Sequence, residues 1–189
     1  MKTIGILLAL GDIYSNSGIG SLNKPIDGGV SRFKAVTSNI PCDENSLIVC
    51  SAGYTQKNPS TPHPERMLSL AGQIARYINE NEVAWNDFLI AKPLCWSTRN
   101  EVRLGIKLAI NEQFVKRDEK VTLVISSNLS HLARVWLYTK LYIPKNWEVK
   151  IVRAHHQFSL FSHILEVPKI IRDVVYTVKV LNRLQRFKK

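Results

Sequence analysis

Ser127, His131 and Arg134 are spaced four and three residues apart, a spacing that brings side chains to one face where a helix begins. A histidine one turn into a helix is suited to moving a proton or to donating to a phosphate oxygen. Its plainer role is a hydrogen bond to a neighbouring loop. Arg134 supplies a permanent cation for an anionic oxygen, or else an ordinary ion pair. Ser127 has no base partner in the sequence, so a turn or cap role competes with that of a nucleophile. Arg32 is a second cation for an anion. Ser51 and Gly53 within Ser51-Ala52-Gly53, Thr98 and Asn100, and Gly11 with Asp12 add hydroxyls, amides and backbone donors. Glu65 is a carboxylate for orienting a ligand or for acid/base work, or a favourable charge at a helix start.

These residues matter together only if the chain gathers them. Ile4–Leu10 is continuously apolar, the pattern of a central parallel strand covered on both faces. Leu47–Cys50, Phe88–Ala91, Val121–Ile125 and Trp147–Val152 read as four more strands. Helical patterns alternate with them: Ser31–Asn39, a helix opened by Pro64 and running past Ile78, one capped by Thr98 with Glu101, and one starting near Ser130. The alternation predicts a Rossmann-like three-layer α/β/α domain with a mainly parallel sheet of about five strands. In such sheets ligands bind beyond the carboxyl ends of the strands. The clusters named above all follow predicted strands, which predicts one polar pocket. Strand order is not legible.

Several chemistries are disfavoured. The chain has no G-x-G-x-x-G after its first strand, no phosphate loop ending in Gly-Lys-Ser/Thr, no G-x-S-x-G and no H-E-x-x-H. Gly18-Ile19-Gly20 is too far from the first strand to carry weight. His155, His156 and His163 lie near one another without a cysteine or carboxylate at a ligand spacing, so no metal is expected. Trp96 suits either stacking on a base or covering the sheet. Cys42, Cys50 and Cys95 show no metal spacing and read as reduced thiols. The apolar run at the N-terminus is too short and too soon interrupted by Gly11-Asp12 for an export signal.

The formal charge of +11 favours anionic partners. From Phe161 to Lys189 there are seven Lys/Arg against Glu166 and Asp173. We therefore divide the chain into a domain over 1–160 and a basic helical extension over 161–189 packed on it. That helix is expected to begin at Pro168 and to dock through Ile170, Ile171, Val174, Val175, Val178 and Leu181. Its rivals are a surface for an acidic membrane and a contact between copies in a homo-oligomer. Specific nucleic-acid binding is not expected, since no RRM-like aromatic set or zinc finger accompanies the charge.

Gly11, Arg32-Phe33, Ser51-Ala52-Gly53, Glu65, Thr98-Arg99-Asn100 and the stretch Ser127-Asn128-Leu129-Ser130-His131-Leu132-Ala133-Arg134, in this order, resemble the bacterial ElyC/SanA/YdcF family, a domain of unknown function. The resemblance spans Ile4 to about Phe158. It implies a Rossmann-like fold with a polar cleft and a nucleotide-like ligand such as S-adenosylmethionine for some members, and a cell-envelope role for others. The sequence departs from the pattern where Asp12 replaces a second glycine, where Ser51-Ala52-Gly53 replaces serine-glycine-glycine, and at Leu129 and Ser130. Asp12 puts a negative charge where a phosphate would lie. Some envelope-associated members carry an N-terminal membrane segment, whereas this chain opens on its first strand. The expected location is therefore the cytoplasm, with a peripheral membrane position as the alternative. The expected function is binding of a small nucleotide-like or phosphorylated molecule, with turnover or as a non-catalytic sensor or scaffold.

Overall fold

A computed structural model describes residues 1–8, 28–53, 69–95, 97–127, 129–154 and 160–186. Five strands, β1 (Lys2–Leu7), β2 (Ser46–Ala52), β3 (Leu89–Cys95), β4 (Val121–Ser127) and β5 (Glu148–Arg153), form one sheet in the order β3-β2-β1-β4-β5. Every pairing is parallel. The helices are α1 (Gly28–Thr37), α2 (Leu70–Asn81), α3 (Thr98–Asn111), α4 (Leu132–Tyr142) and α5 (Leu160–Arg186), with 3₁₀ turns at Val83–Phe88 and Leu129–His131. The three-layer α/β/α architecture expected from the alternating pattern is present.

Strand alternation sends side chains to two cores. Ile4, Ile6, Leu47, Val49, Leu123 and Ile125 pack with Val102 and Ile106 of α3 and Val135 and Tyr138 of α4. Ile48, Cys50 and Val124 face Val30, Phe33 and Val36 of α1 and Ile74 and Ile78 of α2. Phe33 anchors that second core, its ring edge-on to Tyr77 at 6.1 Å and to Trp85 at 6.4 Å. The edge strands explain themselves chemically. Pro93, which has no N–H for a ladder, sits in β3, and β5 carries Glu148, Lys150 and Arg153.

Gly5 is a point of close approach between β1 and α1. A Cβ there would run into the Val36 side chain and lie 3.2 Å from Ile40 Cδ1. Both neighbours are buried core residues. Gly5→Ala is therefore expected to destabilise by about 1–3 kcal/mol through overpacking, read as a lower denaturant midpoint at unchanged m-value. An unchanged midpoint would show that α1 moves away freely.

Three local expectations change. The cap of α3 is Ser97, whose Oγ accepts from Asn100 N at 3.4 Å, so Thr98 is the first helical residue and Glu101 lies one position beyond a capping box. The helix expected from Pro64 is described from Leu70, with Ser69 Oγ accepting from Gly72 N at 3.0 Å; residues 64–68 lie outside the described residues. The last helix starts at Leu160, eight residues before Pro168, which it contains.

The largest correction concerns which face of α5 is buried. It packs on α4 and the preceding 3₁₀ turn; among its described side chains Asp173 and Thr177 are buried, with Ile170 and Val180 half-buried. Of the six residues assigned from sequence to the docking face, Ile171, Val174, Val175 and Val178 are 60%, 41%, 48% and 49% exposed, Ile170 is half-buried, and the Leu181 side chain lies outside the described ones. A buried ion pair, set out below, lies on the inward face.

Candidate functional site at the carboxyl edge of the sheet

The sheet order places the topological switch between β1 and β4, the position at which sheets of this kind take their ligands. The C-terminal ends of β1, β2 and β4 bring Leu8, Ser51-Ala52-Gly53 and Ser126-Ser127 to that edge. The starts of α3 and α4 rise beside them.

Arg32 projects from α1 toward this edge. It is buried, and its guanidinium donates to the Leu8 carbonyl just past β1. Burial pushes its pKa down to about 10, an effect the Glu101 carboxylate partly offsets. Glu101 is itself buried, in the first turn of α3. Arg32 belongs to a helix on one face of the sheet and Glu101 to a helix on the other, so their fields meet at the strand ends. Ser51 Oγ donates to the Glu101 carbonyl at 3.4 Å and ties the end of β2 to α3.

Ser126 and Ser127 are fully buried, and among the described residues neither Oγ has a hydrogen-bond partner. Adjacent strand positions face opposite ways, so Ser126 looks toward α1 and α2 and Ser127 toward α3 and α4. Two orphan hydroxyls at one strand end are uncommon in an interior where polar groups are normally satisfied.

His131 and Arg134 are brought together as their spacing suggests, with Arg134 Nη1 3.4 Å from His131 Nδ1. The arginine is a donor, so this contact uses Nδ1 as acceptor. Arg134 also donates through Nε to Asp173 Oδ2 at 2.6 Å, and both side chains are buried. Tyr138 joins the pair. Burial and its hydrogen bond to Asp173 push the phenol up to about 12, so it remains a neutral donor. Arg172 Nε lies 3.3 Å from Asp173 Oδ1. A cleft of about 290 Å³ opens here between Ser97 and Arg99 of the α3 start, Tyr138 of α4, and Arg172 and Tyr176 of α5.

The residues assigned from sequence thus fall in two groups. Arg32, Ser51, Gly53 and Ser127 lie at the ends of β1, β2 and β4, with Thr98 and Asn100 in the first turn of α3. His131 and Arg134 belong to the network that holds α5. Gly11, Asp12, Glu65 and Trp96 lie outside the described residues, as do His155, His156 and Gly18–Gly20. Among the described residues no group of histidine, cysteine and carboxylate side chains is placed to hold a metal ion.

Sequence reasoning missed Glu101, Tyr138 and Asp173. Glu101 carried a signal: with Gly105 and Leu108 it follows the helical period on a face that packs against the sheet. A buried glutamate on that face is there to meet a charge or a ligand.

The fold and edge define a Rossmann-like α/β architecture of the general kind that takes nucleotide-type ligands. No family model, curated protein or solved structure matches the chain.

Proposed function

We propose that the chain binds a small phosphorylated or nucleotide-like molecule beyond the carboxyl ends of β1, β2 and β4. The observation that carries this reading is Arg32, a fully buried cation at the strand ends whose guanidinium donates to the Leu8 carbonyl and whose charge is kept despite burial. Such an arrangement does little for stability and is a common signature of a binding group. The orphan hydroxyls of Ser126 and Ser127 supply donors at the end of β4, one on each face of the sheet. Gly53, Thr98 and Asn100 complete the edge, and Gly11 and Asp12 are assigned to the same ligand by the order of the sequence. The likeness to the ElyC/SanA/YdcF family belongs to the same proposal.

S-adenosylmethionine is one such ligand. Arg32 would meet its carboxylate, and Glu101 its ribose or sulfonium. If the ligand is turned over, His131 and Glu65 are the residues we assign to proton transfer. The second reading, a sensor without turnover, draws on the Arg134–Asp173 pair, which links the strand-end segment to α5.

Mass spectrometry of the natively purified protein, followed by thermal shifts with AMP, ATP, S-adenosylmethionine and inorganic phosphate, tests the proposal. A ligand at a hundred times its Kd stabilises by about 2.7 kcal/mol, roughly 5–10 °C for a domain of this size. Arg32→Met should remove that shift. No retained molecule and no shift with any of the four would sink the proposal, and a shift that survives Arg32→Met would move the site elsewhere. Conversion of the bound molecule over time separates enzyme from sensor.

A further inference from the structure

Among the described residues, the outward face of α5 is left exposed. Ile171, Val174, Val175 and Val178 stand at i, i+3, i+4 and i+7, so they form one stripe along the helix, and Val167 extends it by a turn. Between 41% and 60% of each of these five residues is exposed. Arg172 and Lys179 repeat the seven-residue spacing of Ile171 and Val178 one position on, which sets a cationic row along the flank of the apolar one. The Arg172 side chain is 70% exposed. The only acidic side chain described on this helix, Asp173, is turned inward onto Arg134.

The cationic flank continues onto α3. Tyr176 lies under the Arg99 guanidinium at 4.4 Å, which sets α3 against that side of α5. One turn and two turns along α3 from Arg99 come Arg103 and Lys107, both exposed. We infer that α5, with this basic side of α3, is a docking surface for an anionic lipid bilayer. It would lie in the interface with its valines among the headgroups and acyl boundary, and its cations on lipid phosphates. Among the described residues no helix is long and apolar enough to cross a membrane, so the contact is with the surface.

Two other occupants fit less well. A second copy of a chain with a net charge of +11 would bring like charges together along the same flank. The five side chains also expose only a few hundred Å², short of the roughly 800 Å² per partner of an ordinary dimer interface. A nucleic acid would use the cations but has no use for a row of bare valines.

Sedimentation of the full chain with vesicles tests this, comparing equal parts phosphatidylglycerol and phosphatidylcholine with phosphatidylcholine alone. The protein should partition onto the anionic vesicles and be released by salt. Replacing Val175 and Val178 together with Ser should lower partitioning about tenfold, and Lys179→Ala or Arg103→Ala about fivefold each. All four side chains are exposed, and circular dichroism checks that each variant is folded. Equal partitioning onto both vesicles, or none onto either, overturns the inference. So does self-association or oligonucleotide binding that depends on this face without vesicle binding.

Discussion

Replacing Asp173 with Asn is expected to lower the stability of the folded chain by about 3 kcal/mol and to loosen α5 before the rest of the domain. The pair it forms with Arg134 is buried on both sides. Removing one partner of such a pair leaves the other charge in place without compensation, which costs more than the pair itself contributes. The charged acceptor of Tyr138 becomes a neutral amide oxygen in the same step. The effect should be carried by pH as well. Burial alone would raise the Asp173 carboxyl, but the hydrogen bonds from Tyr138 and Arg134 and the charge of Arg134 more than reverse this and hold it below its ordinary value. The folded chain therefore takes up that proton less readily than the unfolded chain. Its contribution is complete above the ordinary carboxylate value and is lost as pH falls through the lowered one. Wild type should thus lose stability more steeply than Asp173→Asn below about pH 4, the two curves converging in acid. Hydrogen exchange at neutral pH should show faster opening across α5 in the variant. Parallel acid limbs, or unchanged exchange in α5, would mean that the ion pair is incidental to docking.

That pair also explains why the C-terminal helix was misread from its sequence. The period of Ile171, Val174, Val175 and Val178 correctly indicates one apolar face. Periodicity does not say whether a face turns inward, because a single Arg–Asp contact across 39 residues outweighs it and leaves no local trace. The sheet was more legible: Ile4–Leu7 is a continuous apolar run and Val121–Ile125 is broken only by Thr122, the pattern of strands covered on both faces. Their order in the sheet depends on crossover packing, as at Gly5 against Val36, and is invisible in any one segment. The site divides in the same way. His131 and Arg134 are neighbours because a helix turn makes them so. Arg32 and Glu101 approach across two layers, which a linear reading assigned to a ligand contact and a cap.

The second large effect is expected at that cross-layer pair. Lowering the Arg32 guanidinium from its ordinary value to about 10 corresponds to about 3 kcal/mol of cost at neutral pH. Between those two values the unfolded chain holds the proton that the folded chain has released, so this cost shrinks as pH rises through the window. Glu101 offsets part of it. Glu101→Gln should then destabilise by about 2–4 kcal/mol, because Arg32 keeps its burial and loses its counter-charge. Arg32→Met should cost a similar amount, leaving Glu101 buried and the Leu8 carbonyl without the donor it now has. The double variant removes both charges and should fall within about 1 kcal/mol of wild type. The signature is thus a coupling of several kcal/mol in a double-mutant cycle, measured by urea unfolding near neutral pH. Simple additivity would show that the two charges do not sense each other and would remove Arg32 as the carrier of the proposed site. Strong coupling, with the stable double variant insensitive to every ligand that shifts wild type, would identify the pair as kept for binding at the expense of stability.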